Sequence, residues 1–359
     1  MNLSVGIVGL PNAGKSTLFN ALLGRQIAKA ENYPFCTIDP NTGVVKVPDE
    51  KLPVLAKIEK SDQIIPAVIK FIDIAGLVKG AARGEGLGNK FLAHIRECSV
   101  ICYVLRGFTD PNVEKAGSVN PRSDLETLKT ELMLKDLETI EKILNEKVHP
   151  NNKEEVLRHR VAEKIKKALD QGKKMPIDEE WDKDEVIVWQ SFSLLTTKPY
   201  LIVFNIGEED FINLDRIKTD FVDWDVLPIC AKTEEELAEL GKSDREGYLH
   251  SLGVEKSGLE LLIKKAYQKL NLISFYTTGT EKTQEIRAWT IKNGIGAREA
   301  AGVIHSDFKK GFVKAEVVDY NTFVQFGGWD KCRSSGKTRF EGKDYLIQQN
   351  EVVEFKVSC

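Results

Sequence analysis

The chain has 359 residues, enough for two or three domains with sizeable cores. A net charge of −3 gives no global attraction to nucleic acid, so any such binding must be local. Six cysteines stand scattered without metal-ligand spacing or a disulfide framework, and no apolar run is long enough to span a membrane. Core thiols, no membrane partner and a cytoplasmic location are the expectation.

Near the start, Val5-Gly6-Ile7-Val8 is apolar enough for a buried strand. Gly9-Leu10-Pro11-Asn12-Ala13-Gly14-Lys15-Ser16-Thr17 follows, and Thr17 to Leu23 has the make-up of a helix start. The stretch reads G-x-x-x-x-G-K-S between a strand and a helix, the context a phosphate-binding loop requires. Gly9 and Gly14 let the backbone turn tightly, so that successive N–H groups face phosphate oxygens. The helix N-terminus adds its unpaired N–H groups. Lys15 would reach the β- and γ-phosphates, and Ser16 would place its hydroxyl on Mg²⁺.

Ala28 to Asn41 carries Pro34 and Pro40 and reads as a loop. Thr37 within it is the candidate to join Mg²⁺ when a γ-phosphate is present. The next apolar run ends in Asp73-Ile74-Ala75-Gly76-Leu77. An Asp at a strand end suits an outer hold on Mg²⁺, and Gly76 has an N–H to offer the γ-phosphate. Leu77 stands where Ras-type enzymes keep the Gln that orients attacking water. It has no hydrogen-bonding group, so backbone, a cation or a partner must position the water. Four glycines between Lys79 and Asn89 predict a switch loop rather than a helix. Phe91 to Glu97 reads as helix and Ser99 to Arg106 as strand.

Leu125 to Val148 reads as a helix with Met133, Leu137, Ile140, Leu144 and Val148 on one stripe. After a turn at Pro150-Asn151-Asn152, Leu157, Val161, Ile165 and Leu169 repeat at four. Two such helices make an antiparallel coiled hairpin. Between Lys153 and Lys174, eight Lys/Arg stand against four acids, either a solvated face or a basic finger for RNA phosphates.

Tyr200 to Phe204 is again a buried strand, followed by Asn205-Ile206-Gly207-Glu208. GTP-binding chains carry Asn-Lys-x-Asp here, the Asp accepting from two guanine donors. Glu208 is a methylene longer, and Ile206 replaces the Lys that packs over the base. Guanine selectivity should therefore be weak, while Asn205 offers a donor and an acceptor to an adenine edge. Val226 to Ala231 is another strand, and Cys230-Ala231-Lys232 fits the Ser-Ala-Lys loop that wraps the base. Ser257 to Leu270 makes a closing helix.

Asn271 to Thr283 is polar and turn-rich, a linker. Beyond it, a strand at Ile286 to Ile291, a helix at Ala297 to Lys310 and three short strand-like runs predict a small α+β domain. The three runs are at Phe312–Val318, Tyr345–Ile347 and Val352–Val357. Lys331, Arg333, Lys337, Arg339 and Lys343 load one loop with positive charge, solvated or touching RNA.

These motifs together resemble the YchF / Obg-like ATPases. The resemblance rests on residues 9–17, Asn32 to Ile38, Asp73 to Leu77, Gly84 to Asn89 and Asn205 to Glu208. It extends to Arg287 to Thr290 and Ala301 to Phe308. It implies an α/β P-loop NTPase, a Ras-like G domain at 1–124 and 196–272, with an inserted α-helical coiled hairpin at 125–195. A C-terminal α+β ubiquitin-like (TGS) domain follows at 273–357. It further implies Mg²⁺-dependent ATP hydrolysis, ATP preferred over GTP, and binding to ribosomes, as the large subunit or whole. Hairpin and TGS domain would reach the RNA. Nucleotide contacts would come from Gly9, Asn12, Ala13, Gly14, Lys15, Ser16, Thr17, Asn205, Ile206, Glu208, Cys230 and Ala231. Ser16 and Thr37 would ligate Mg²⁺ with Asp73 behind them. Lys15, Gly76 and Leu77 would serve the chemistry, and Asn12 would recruit K⁺ as an activator. Asn350-Glu351 departs from the Gly-Asp turn usual before the family's last strand, and no His stands near Glu114. The rival readings are an Obg-type GTPase and a nucleotide-switched binding protein with negligible hydrolysis.

Overall fold

The computed structural model describes residues 4–26, 41–74, 95–109, 120–173, 181–279 and 285–358. In chain order the first half runs β1 (Ser4–Val8), α1 (Lys15–Gln26), β2 (Thr42–Lys46), α2 (Lys51–Glu59), β3 (Gln63–Ile65), β4 (Val68–Asp73), β5 (Val100–Arg106), α3 (Pro121–Leu144), α4 (Lys153–Asp170) and α5 (Lys183–Ser191). The second half runs β6 (Tyr200–Asn205), a 3₁₀ turn (Glu208–Asn213), α6 (Leu214–Asp220), β7 (Val226–Ile229), α7 (Ala231–Glu239), α8 (Lys242–Ser251), α9 (Gly258–Lys269), β8 (Leu272–Thr277) and β9 (Glu285–Lys292). It ends with α10 (Ala297–Ile304), α11 (Ser306–Lys310), β10 (Phe312–Asp319), α12 (Tyr320–Phe326), α13 (Trp329–Ser334), β11 (Arg339–Glu341) and β12 (Glu351–Val357). By contact these elements form two compact units, Met1–Ala21 with Phe71–Gly258 and Leu22–Lys70 with Leu259–Cys359.

One six-stranded sheet has the order β2-β4-β1-β5-β6-β7. Strands β1, β5, β6 and β7 pair in parallel, Val5 opposite Val100 and Arg106 opposite Asn205. Their residues are buried almost throughout, as a parallel sheet covered on both faces demands. Parallel pairing brings the carboxyl ends of β1, β5 and β6 to one edge, where ligands of such sheets bind.

The insertion carries three helices where the sequence predicts two. Asn120 caps α3 by accepting from Ser123 N–H, with Pro121 at its first position. That start precedes the expected Leu125, and Leu144 ends the helix before Val148. Asn152 caps α4 and Asp182 forms a capping box with Glu185 at the start of α5. Ile140 and Ile143 pack on Val161, Ile165 and Leu169, and Phe192 and Leu194 close the cluster from beyond α5. Asp136 anchors the insertion: its carboxylate accepts from Leu195 N–H and Thr196 N–H at 2.8 Å each and from the Thr196 hydroxyl at 2.6 Å. Burial pushes the Asp136 carboxyl up, and those hydrogen bonds hold it back.

The second sheet has the order β11-β10-β12-β8-β9-β3, with α10 on one face. Here the structure corrects the linker reading: Leu272–Thr277 is a strand, paired antiparallel to β9 from Leu272 opposite Lys292. Ile273 and Phe275 point to the α10 side, and Tyr276 points to a second cluster. That cluster takes Leu52, Leu55 and Ala56 from α2 and Phe323 from α12. The sheet is thus buried on both faces, which is why residues 22–70 group with the C-terminal segment. Tyr345–Ile347 is no strand; it contributes one bridge, Leu346 to Gly296. Asn350 takes φ of 66°, a left-handed position that asparagine tolerates in place of glycine. The Glu351 carboxylate after it accepts from Gln348 N–H at 2.8 Å.

Among the described residues Cys98, Cys102, Cys230 and Cys332 are buried thiols outside any disulfide, and burial raises the Cys102 thiol to about 12. No described helix is long and apolar enough to cross a membrane.

Candidate functional site

The phosphate loop joins the end of β1 to the start of α1. A Cβ on Gly9 would stand 2.5 Å from the Val104 carbonyl of the neighbouring strand, so only glycine fits that turn. Gly14 has φ of 88°, and a Cβ there would lie 2.0 Å from Asn205 Nδ2. Asn12 also takes a left-handed φ, 61°. Lys15 is 8% exposed and donates from Nζ to the Leu10 carbonyl at 2.9 Å, folding back over the loop. Burial draws its ammonium below the usual lysine range, and the Asp73 carboxylate partly offsets that. A desolvated ammonium folded over a loop of backbone N–H groups is placed to meet phosphate oxygens.

At the end of β4, Asp73 Oδ2 accepts from the Ser16 hydroxyl at 3.2 Å. Asp73 Oδ1 is buried with no hydrogen-bond partner among the described residues. A hydroxyl and a carboxylate with an unsatisfied oxygen form a hard donor set that fits Mg²⁺, which keeps several waters and needs few protein ligands. No group of three or more His, Cys, Asp or Glu among the described residues makes a separate metal cage. Thr37, Gly76 and Leu77 lie outside the described residues.

Asn205 ends β6 and is 4% exposed. Its Nδ2 donates to the Ala13 carbonyl at 3.0 Å, and its Oδ1 accepts from Ala231 N–H at 3.0 Å. The amide therefore fastens the phosphate loop to the loop before α7. One amide hydrogen and one lone pair are thus committed to the backbone, and one of each is left to meet an adenine edge. The backbone of Ile206 is likewise partly committed. Its N–H donates to the Ile229 carbonyl at 2.9 Å and its side chain is buried in the core, so only its carbonyl is left for a base. Gly207 N–H is held by the Asp210 carboxylate at 3.2 Å. Glu208 is exposed, and Tyr248 of α8 donates its phenol hydrogen to Glu208 Oε1 at 2.6 Å. Cys230 and Ala231 are buried at the start of α7.

Tyr248, Phe108 and Arg106 escaped the sequence reading. Phe108 lies just past β5, with a ring carbon 4.0 Å from the Gly14 Cβ position. Arg106 stacks its guanidinium on that ring at 4.8 Å and donates from Nε to the Phe108 carbonyl at 3.2 Å. For Arg106, opposite Asn205 at the end of β5, and Phe108 just past it, the signal is the pairing register; Tyr248 lies on α8, and only the folded chain brings it to Glu208.

The two basic stretches are less free than their composition implies. On the insertion, Lys164 and Arg160 pair with buried Glu185 at 2.8 and 3.1 Å, and Lys166 with Glu141 and Asp170 at 3.2 Å each. Lys153, Lys167 and Lys173 remain exposed. In the C-terminal segment, Lys331 and Arg333 sit on α13 rather than in a loop. Arg333 forms a two-pronged pair with Glu316 at 2.9 Å per prong, and Arg339 pairs with Glu351 at 3.0 Å.

Comparison with known proteins places this arrangement. Residues 4–152 match a model described as a 50S ribosome-binding GTPase. Residues 272–358 match YchF-GTPase_C, described as a protein of unknown function. The chain is 45% identical to the "Ribosome-binding ATPase YchF" of Haemophilus influenzae and 42% identical to that of Bacillus subtilis, each over 99% of both chains. The chain belongs to the YchF / Obg-like ATPase family. Among solved structures, the Schizosaccharomyces pombe YchF GTPase superposes with a TM-score of 0.85 at 35% identity, covering 99% of this chain and 98% of the other. The α/β P-loop fold with its C-terminal α+β segment is that of the YchF family. The names of these relatives divide between ATPase and GTPase, so the base side of the site carries the distinction.

Proposed function

We infer that this YchF-family chain is a ribosome-binding ATPase that hydrolyses ATP to ADP and phosphate and prefers ATP over GTP. The observation that carries the reading is the joined site: Lys15, Ser16 and Asp73 at the phosphate end, tied through Asn205 to a base loop that lacks the guanine-reading residues. Phosphoryl transfer asks for positioning and charge neutralisation rather than a covalent group. The loop amides and Lys15 hold the phosphates. Ser16 and Thr37 would hold Mg²⁺, with Asp73 behind them, and the ion would neutralise charge on the β- and γ-phosphate oxygens. Gly76 would donate its N–H to the γ-phosphate. Leu77 supplies no group to orient water, so intrinsic turnover is slow and rises with a partner or with K⁺ held near Asn12.

On the base side, burial of Ile206 removes the lysine stem that covers guanine. The extra methylene of Glu208 displaces the carboxylate from guanine's paired donors. Phe108 gives an apolar wall beside Gly14, and the Ile206 carbonyl is an acceptor for the adenine amino group. The relatives' names support ribosome binding. With Arg160, Lys164 and Lys166 paired internally, we assign RNA contact to exposed Lys153, Lys167 and Lys173 and to the lysines of 331–343.

Titration with ATP and GTP, hydrolysis with and without K⁺ and ribosomes, and co-sedimentation in a salt series test the reading. Tighter ATP binding, slow K⁺-stimulated turnover abolished by Lys15→Ala, and salt-weakened ribosome binding are expected. Tight GTP binding with undetectable ATP binding would establish the Obg-type GTPase instead.

A further inference from the structure

We propose that Tyr248 is a specificity-positioning residue of the base pocket, which holds Glu208 in a form that guanine cannot use. The inference rests on the nucleotide reading above and concerns the residue that enforces its selectivity. Lengthening an Asp to a Glu displaces a carboxylate but does not silence it. A free glutamate side chain has rotamers that bring both oxygens back toward a base, and guanine's ring N–H and amino group would reward that with two charge-assisted hydrogen bonds. Something must hold Glu208 away.

The structure supplies it from a different element. Tyr248 on α8 donates to Glu208 Oε1 at 2.6 Å, a short bond to an acceptor-only group. The phenol also lies within electrostatic reach of Cys230, the first residue of the loop expected to wrap the base, and of Glu236. Tyr248 thus ties α8 to the residue at the expected base-reading position. The backbone around Glu208 is fixed as well, through Gly207 N–H on Asp210 and Ile206 N–H on Ile229. With Oε1 drawn to the phenol and the side chain held toward α8, the two oxygens are kept from the side-by-side alignment that guanine's two donors need. One donor is then left unpaired, which is how polar sites reject a near-isostere. Adenine lacks both of those donors and loses nothing.

The test is Tyr248→Phe in the full chain, titrated with ATP and GTP beside the wild type. Releasing Glu208 should tighten GTP binding by about tenfold and leave ATP affinity within about twofold. Glu208→Gln in the Tyr248→Phe background should remove the GTP gain, because the gain needs a carboxylate. A merely structural tyrosine would weaken both nucleotides together. Either that result or an unchanged ATP-to-GTP ratio in Tyr248→Phe overturns the proposal. A wild type that prefers GTP overturns the parent reading before any substitution is made, so the two failures are separable.

Discussion

Asn205 Nδ2 lies 3.0 Å from the Ala13 carbonyl, so the end of a central strand and the phosphate loop are fastened by one side chain. Its Oδ1 holds Ala231 N–H at the same distance. Asn205→Ala leaves two buried backbone groups without their partner, and stability should fall by about 2 kcal/mol. Because the phosphate loop loses its brace, ATP and GTP should weaken together, each by about tenfold or more. Denaturation and paired titrations check this; loss confined to ATP would give Asn205 a direct part in choosing the base.

Lys15 links nucleotide binding to pH. Its folded value is lowered by burial, so between that value and the usual lysine range the unfolded chain binds more protons than the folded one. The buried charge therefore costs stability at neutral pH, and the cost fades as pH rises through that window. Phosphate oxygens favour the ammonium, so binding in the window should take up a proton. Calorimetry in buffers of different ionisation heat should show proton uptake on binding that is confined to that window and absent at pH values below it.

Asp136 is 1% exposed and satisfies two backbone N–H groups and a hydroxyl. Asp136→Ala should cost about 3 kcal/mol. Thermal unfolding with far-ultraviolet dichroism should show it as a lower midpoint with native helicity retained at low temperature.

Arg333→Met tests the C-terminal ion pair. Glu316 is 2% exposed, and the Arg333 hydrogen bonds hold its carboxyl below the usual glutamate range. A depressed value means stabilisation present above the unfolded glutamate value and lost as pH falls through the folded one. Arg333 is partly solvated, and Lys356 stands 3.8 Å from Glu316 as a remaining partner. The loss at neutral pH should therefore be about 1–2 kcal/mol. Unfolding midpoints of wild type and variant should converge on acidification.

The sequence by itself determined the phosphate end of the site. A strand, Gly9 to Thr17 and a helix start are contiguous, and the backbone geometry they need is written in two glycines. It also determined the family, and with it the α/β class. What it left undecided depends on partners far along the chain. That Asn205 is a brace turns on Ala13 and Ala231, which parallel pairing of β1, β5, β6 and β7 brings beside it. The charge of Arg333 looked available because its partner Glu316 sits on a separate element, β10. Residues 271–277 looked like a linker because their polar ends outweighed the short run Leu272 to Tyr276, and only a sheet buried on both faces makes that run a strand. Local spacing encodes turns, caps and phosphate cradles because those are made by neighbours in the chain. Hydrogen-bond commitments between distant segments exist only once packing has chosen which segments meet, and tertiary structure alone made that choice.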